Sequence, residues 1–128
     1  MEELHMNLSW LSNPEIFQVN RLTAHSSHHY YANEEEKQSS FINVLDGTWK
    51  FHYANALNEV IDGFEKESYD CSTWDDIQVP SHMQMQGYGT PMYVNQIYPW
   101  SGSEELLPGE IPQHNPVGSY VTYFDSSI

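Results

Sequence analysis

The stretch that decides how this chain reads is Trp74 to Trp100, WDDIQVPSHMQMQGYGTPMYVNQIYPW. Ile77 and Val79 have the alternation of a strand start, and Pro80 stops it, because proline lacks a backbone donor and restricts the residue before it. Pro99 closes the far side in the same way. Between them Gly87 and Gly89 permit backbone angles that other residues resist, which predicts a tight excursion. A second short strand is expected to follow and to end on an exposed amide at Asn95. Tyr88, Tyr93, Tyr98 and Trp100 are interleaved with His82, Gln84, Gln86, Asn95 and Gln96. Flat apolar faces mixed with neutral donors and acceptors suit a sugar ring, whose C–H faces lie on aromatics and whose hydroxyls need uncharged partners. The same residues also suit the closing edge of a β core, and composition alone does not separate these readings.

Length and charge narrow the field. The chain has 128 residues, enough for one domain with a real core. Aromatics make up 14%, with nine Tyr and four Trp, a balance that favours strands and aromatic-lined loops over helix bundles. The formal charge is −14, from eighteen acidic residues against Arg21, Lys37, Lys50 and Lys66. Binding a polyphosphate needs a basic stripe, so nucleic acid is excluded as a partner. A neutral substrate and a cytoplasmic location are both compatible with an acidic surface. Cys71 is the only cysteine, which precludes an internal disulfide and points to a reducing compartment. The start, MEELHMNLSW, is acidic and lacks a long apolar run, so no signal sequence and no membrane span are expected there.

The clearest strand lies within Phe41 to Ala54, where Phe41, Val44 and Leu45 precede a turn. Asp46-Gly47 forms a turn, after which Trp49, Phe51 and Tyr53 alternate with Lys50 and His52. His52 then belongs to the polar side. Residues 55–63 (NALNEVIDG) predict a short helix stopped by Gly63. Tyr69 and Trp74 anchor the polar run that follows. Asp75 and Asp76 invite a reading as paired catalytic carboxylates, but neighbours on an extended chain point to opposite faces and cannot flank one bond. Residues 101–113 read as a loop, and Asn115 to Phe124 as a turn followed by an alternating strand. His25, His28 and His29 lack the third or fourth ligand at defined spacing that zinc requires, so they read as a polar loop, and Glu34 to Lys37 as a solvated turn or short helix.

The order of residues carries more than their types. Val79, Pro80, Ser81, Gln84, Gly87, Tyr88, Pro91, Tyr93, Asn95, Tyr98 and Pro99 fall without a gap on a pattern that resembles the N-terminal sugar-binding domain of the glycoside hydrolase family 2 β-galactosidases. Three further blocks are similar to that family: Asn13-Pro14 with Asn20-Arg21-Leu22 and Ala24-His25; Leu45 to Phe51, where Asp46 replaces the usual amide; and Asn115-Pro116 with Gly118, Tyr120 and Phe124.

The resemblance implies an all-β jelly-roll β-sandwich of the galactose-binding type. The chain is expected to hold an incomplete part of it, with about four or five strands where a jelly roll has about eight. Residues 1–25 would be a leader or assembly segment, in which Leu8, Trp10 and Leu11 could dock on a partner, and residues 26–128 the front part of the domain. The implied activity is hydrolysis of terminal non-reducing β-D-galactosides, such as lactose, with retention. The two catalytic glutamates lie in a later barrel, so this chain supplies no catalytic residue and is expected to be inactive alone. Its implied substrate-binding residue is Asn95, with Tyr88 and Tyr93 supporting the loop. Mg2+ is implied for the full-length enzyme, with Na+ as a second candidate. The magnesium ligands would fall at Asn13 and the carbonyl of Ile16, but the upstream carboxylate is missing where Ser9 and Trp10 stand, so no metal is assigned here. Implied partners are a β-galactoside and the remainder of the enzyme, as further domains or a second subunit in a homo- or hetero-oligomer. A free-standing carbohydrate-binding module and a purely structural assembly segment are the alternatives.

Overall fold

The computed structural model describes residues 9–19, 21–93, 95 and 97–125. The expectations placed on Leu8, Asn20, Gln96 and the chain's end lie outside these. The fold is all-β, apart from short helical turns and one brief helix, α1 (Ser9–Ser12). Its centre is a three-stranded sheet of β1 (Gly47–Ala54), β2 (Asp75–Val79) and β3 (Val117–Val121), in the order β2-β1-β3. Both pairings are antiparallel. The three strands are the three alternating runs of the sequence. The indole N–H of Trp49 donates to the Leu45 carbonyl at 2.7 Å, which fixes the chain's entry into β1.

Side chains alternate across a strand, so the pairing assigns each to a face. Phe51 lies opposite both Asp75 and Tyr120. It is buried, and its ring meets those of Tyr88 at 4.5 Å and Tyr120 at 4.7 Å. Ile77, opposite Trp49, is equally buried. Removing each from water is worth about 1.5–3 kcal/mol. Gly118 completes this face by omission: a Cβ there would stand 2.7 Å from Phe51 Cε2 and 3.0 Å from Met83 Sδ. A bare backbone at 118 is what admits the Phe51 ring.

The opposite face differs from its sequence reading. His52 does not point into solvent; its ring lies 5.3 Å from that of Trp74, and its Nδ1 is buried without a hydrogen-bond partner. Trp74 is buried in turn among Phe64 (5.7 Å) and Tyr69 (5.6 Å). The Tyr123 hydroxyl lies 3.6 Å from the buried Cys71 Sγ and donates to the Tyr69 carbonyl at 3.3 Å. The aperiodic run before β2 therefore folds over the sheet and covers a face that alternation alone assigns to water. Asp75 and Asp76 do diverge as neighbours on a strand must. Asp75 accepts from the Tyr88 hydroxyl at 2.9 Å on one face, and Asp76 pairs with Lys50 at 2.8 Å on the other.

Two expected elements are not formed. The helix over residues 55–63 shrinks to a 3-10 turn at Leu57–Glu59, where Glu59 accepts the Asn55 N–H at 2.9 Å. The β-branched Val60 is already extended, and Gly63 belongs to the next turn. Where the second strand was expected to end at Asn95, the described residues are irregular chain. Pro91 has no N–H to offer a ladder, and it restricts Thr90. Among the described residues there are thus three strands, fewer than the four or five expected.

Candidate functional site

The stretch from Pro80 to Trp100 divides at Gly89. Its first part is tied to the sheet. Met83–Gln86 forms a 3-10 turn closed by Gly87 in the left-handed conformation. From this turn the Gln86 side chain reaches β2: its Oε1 accepts the Gln78 N–H and its Nε2 donates to the Gln78 carbonyl, both at 2.9 Å. One amide thereby satisfies both main-chain groups of a residue on the outer edge of β2. Gln78 turns its own amide inward along the sheet, donating to Thr48 Oγ1 at 2.8 Å. Gln86 is therefore engaged within the chain and is not free to meet a ligand.

Tyr88 lies over Phe51. Burial first, and then its hydrogen bond to Asp75, raise its phenol above the ordinary tyrosine pKa. Gly89 follows at φ +69, so close to Tyr53 that a Cβ would stand 2.9 Å from the phenol oxygen. These contacts make Tyr88 a support of the loop.

The second part stands away from the sheet. Asn95 is exposed, and Tyr93 is 90% exposed, so Tyr93 is not packed as a loop support among the described residues. The segment ends where Tyr98 stacks on Trp100, rings 4.9 Å apart and 3° from parallel. Beyond it, Ser103 and Glu104 both donate their N–H to the Trp100 carbonyl, at 3.0 and 2.9 Å. Glu104 then accepts the N–H of Gln113 (2.8 Å) and of His114 (2.9 Å), one on each carboxylate oxygen. These two bonds, His114 first, hold its carboxyl below the ordinary glutamate value.

Two cavities lie beside this segment. One, of about 410 Å³, is lined by Leu11, Met92, Pro99, Trp100, Ile111 and Pro116, among others. The other, of about 360 Å³, is lined by Tyr53, Asn55, Gln84, Gly89 and Thr90, and shares Met92, His114 and Pro116 with the first. Leu11 thus places α1 against the loop before β3, where the Ser12 carbonyl lies 3.7 Å from the Cβ position of Gly109.

Of the oxygens named for magnesium, Asn13 Oδ1 accepts the Glu15 N–H at 3.0 Å, inside a local turn in which the Asn13 carbonyl accepts the Ile16 N–H at 3.1 Å. Among the described residues no three His, Cys, Asp or Glu side chains come together to hold an ion. His25, His28 and His29 lie exposed on irregular chain, His25 Nδ1 2.8 Å from the Thr23 carbonyl.

The strands, the tyrosine-backed loop and the Asn95 segment all lie within residues 42–127, which match the model of the glycosyl hydrolases family 2 sugar-binding domain. This chain belongs to glycoside hydrolase family 2. It is 52% identical to a β-galactosidase of Halalkalibacterium halodurans over 94% of its own length and 12% of the relative's. It is 44% identical to a β-galactosidase of Clostridium acetobutylicum, covering 93% of this chain and 14% of the relative. With a β-galactosidase large subunit of Leuconostoc lactis it shares 39% identity, across 95% of this chain and 22% of that subunit. The chain therefore spans about an eighth to a fifth of these relatives. As a family 2 sugar-binding segment it is all-β, as the sequence implied. No helix among the described residues is long and apolar enough to cross a membrane.

Neither Gln86 nor Glu104 was marked by the sequence as a structural residue. Gln86 sat among amides equally suited to a sugar. Glu104 opens an acidic pair inside an aperiodic loop, where nothing announces its partners nine and ten residues on.

Proposed function

We propose that this chain is the sugar-binding portion of a β-galactosidase that hydrolyses terminal non-reducing β-D-galactosides, such as lactose, with retention at the anomeric carbon. The observation that carries the reading is the 52% identity to a β-galactosidase across 94% of the chain. A retaining hydrolase needs two carboxyls about 5–5.5 Å apart, one as nucleophile and one as acid and base. These come from parts of the enzyme beyond this chain, and the chain alone is inactive. Its own contribution is the edge of the galactose pocket, where the exposed amide of Asn95 hydrogen-bonds a sugar hydroxyl. A neutral amide suits a neutral hydroxyl, and it does so on a surface whose formal charge of −14 repels anions.

The working form is a cytoplasmic oligomer in which residues 1–25 serve subunit assembly. The relatives described as large subunits support a partner subunit, and the acidic, single-cysteine composition supports the compartment. The test is Asn95→Ala in the full-length enzyme. A hydrogen bond of this kind is worth about 1 kcal/mol net, more if its loss leaves a polar group unpaired, so kcat/KM should fall about fivefold or further. The thermal midpoint should not move, because Asn95 is exposed. Unchanged kinetics would remove Asn95 from the pocket. Detectable galactose binding by the isolated chain in calorimetry would favour an independent binding module instead.

A further inference from the structure

Among its described residues the segment that carries Asn95 has no regular secondary structure, yet the chain on either side of it is fastened to the same sheet. Its entry is fixed by Gly89 against Tyr53 of β1 and by Tyr88 on Phe51 and Asp75. Its exit is fixed differently. The turn after Trp100 places Glu104, whose two oxygens take the adjacent N–H groups of Gln113 and His114. Three residues past His114 the chain enters β3, which pairs with β1. Other hydrogen bonds of this loop, among them Leu107 N–H to Glu110 Oε2 at 2.8 Å, Glu110 N–H to the Leu107 carbonyl at 3.0 Å and Ser103 Oγ to the Trp100 carbonyl at 2.8 Å, close it on itself. The Glu104 pair is what ties it to the run-in of the strand. Two neighbouring N–H groups demand an acceptor with two oxygens, and an ionised one makes bonds roughly twice as strong as a neutral one.

We propose that Glu104 is a positioning residue: its carboxylate clamps the exit of the Asn95 segment to the start of β3 and so sets where Asn95 meets the sugar. This rests on the reading of Asn95 given above. Glu104 needs no contact with the substrate for this role. Its effect passes through the Tyr98–Trp100 stack, which lies between the clamp and Asn95 along the chain, and through the 410 Å³ cavity, which Met92 before Asn95 and Pro99 and Trp100 after it line together with Glu104. Loss of the clamp frees one end of the segment while the sheet stays paired. Asn95 then reaches its partner from a wider spread of positions.

The experiment is a double-mutant cycle in the full-length enzyme, with steady-state kinetics on lactose. Glu104→Ala should lower kcat/KM about tenfold, the scale expected when a binding group is misplaced by less than an ångström. Glu104→Gln, which keeps one good acceptor oxygen, should lose less and should fold if the alanine variant does not. In the Asn95→Ala background both substitutions should cost almost nothing, because the group they position is gone. An equal cost in both backgrounds would overturn the proposal, as would an unaltered kcat/KM in the Glu104 variants alone. If Asn95→Ala is itself silent, the assignment of Asn95 fails and the clamp loses its target. If Asn95→Ala is defective and the Glu104 losses simply multiply with it, only the clamp fails.

Discussion

The two halves of one loop, residues 80–89 and residues 90–100, are built on opposite principles. The first is committed to the sheet: the Gln86 side chain to the edge of β2, Tyr88 to Phe51 and Asp75, and the bare backbone of Gly89 to Tyr53. The second leaves Tyr93 and Asn95 in solvent and is held from its ends. Both halves are rich in amides and aromatics, so residue type does not distinguish them. What does is whether the neighbouring sheet offers a group to meet: main-chain donors and acceptors for Gln86, a ring and a carboxylate for Tyr88. Groups that meet such a need become structure; those that do not remain available to a ligand.

This contrast can be broken from the sheet side first. Phe51→Ala in the full-length enzyme should remove about 3–5 kcal/mol from the local stability, as Phe-to-Ala changes in cores do. Hydrogen exchange should report it as lost protection in β1 and in residues 80–89 together, since Tyr88 rests on that ring. Protection that survived in 80–89 would mean this half does not depend on the face beneath it. Gly89→Ala should cost about 1–2 kcal/mol, from a left-handed backbone angle and the close Tyr53 oxygen. Adding Tyr53→Phe should recover part of the loss in thermal midpoint, because it removes the nearest atom while the backbone strain remains.

A finer probe is Gln86→Ala, expected to cost about 1 kcal/mol and to speed amide exchange at Gln78 specifically. Exchange at Gln78 as slow as in the parent would contradict the role given to Gln86. Smallest of all, Tyr93→Ala should change stability by no more than about 0.5 kcal/mol, as exposed positions generally do. A thermal midpoint that fell with Tyr93→Ala would show the outer half to be packed as firmly as the inner one.

All three strands were legible in the sequence because each carries its own period-two pattern and turn residues: Asp46-Gly47 before Trp49, Pro80 after Val79, Pro116 before Val117. The family's motif also named Gly118, and the structure supplies the reason, since Phe51 occupies the space its Cβ would need. What escaped the sequence shares one physical cause. The cover over His52 comes from Trp74, backed by Phe64 and Tyr69; Tyr69 and Trp74 read as anchors, but they sit in a run with no period, so nothing local says which face of the sheet they cover. Gln86 and Glu104 bond to main-chain groups, which every residue carries, so the identity of the partner leaves no trace in the string of letters. The proposal for Asn95 rests on the order of its neighbours, Tyr93 and Tyr98, since an exposed amide carries no local signal of a ligand.

The bond pair from Gln86 to Gln78 has a consequence for how this protein behaves in a crowd. A bare strand margin offers its N–H and C=O groups to any extended chain and so templates aggregation. Here a single side chain, eight residues downstream, plugs that margin near the end of β2. An incoming strand would have to evict a partner that is always at hand, so the newly made chain carries its own guard against sticking to its copies.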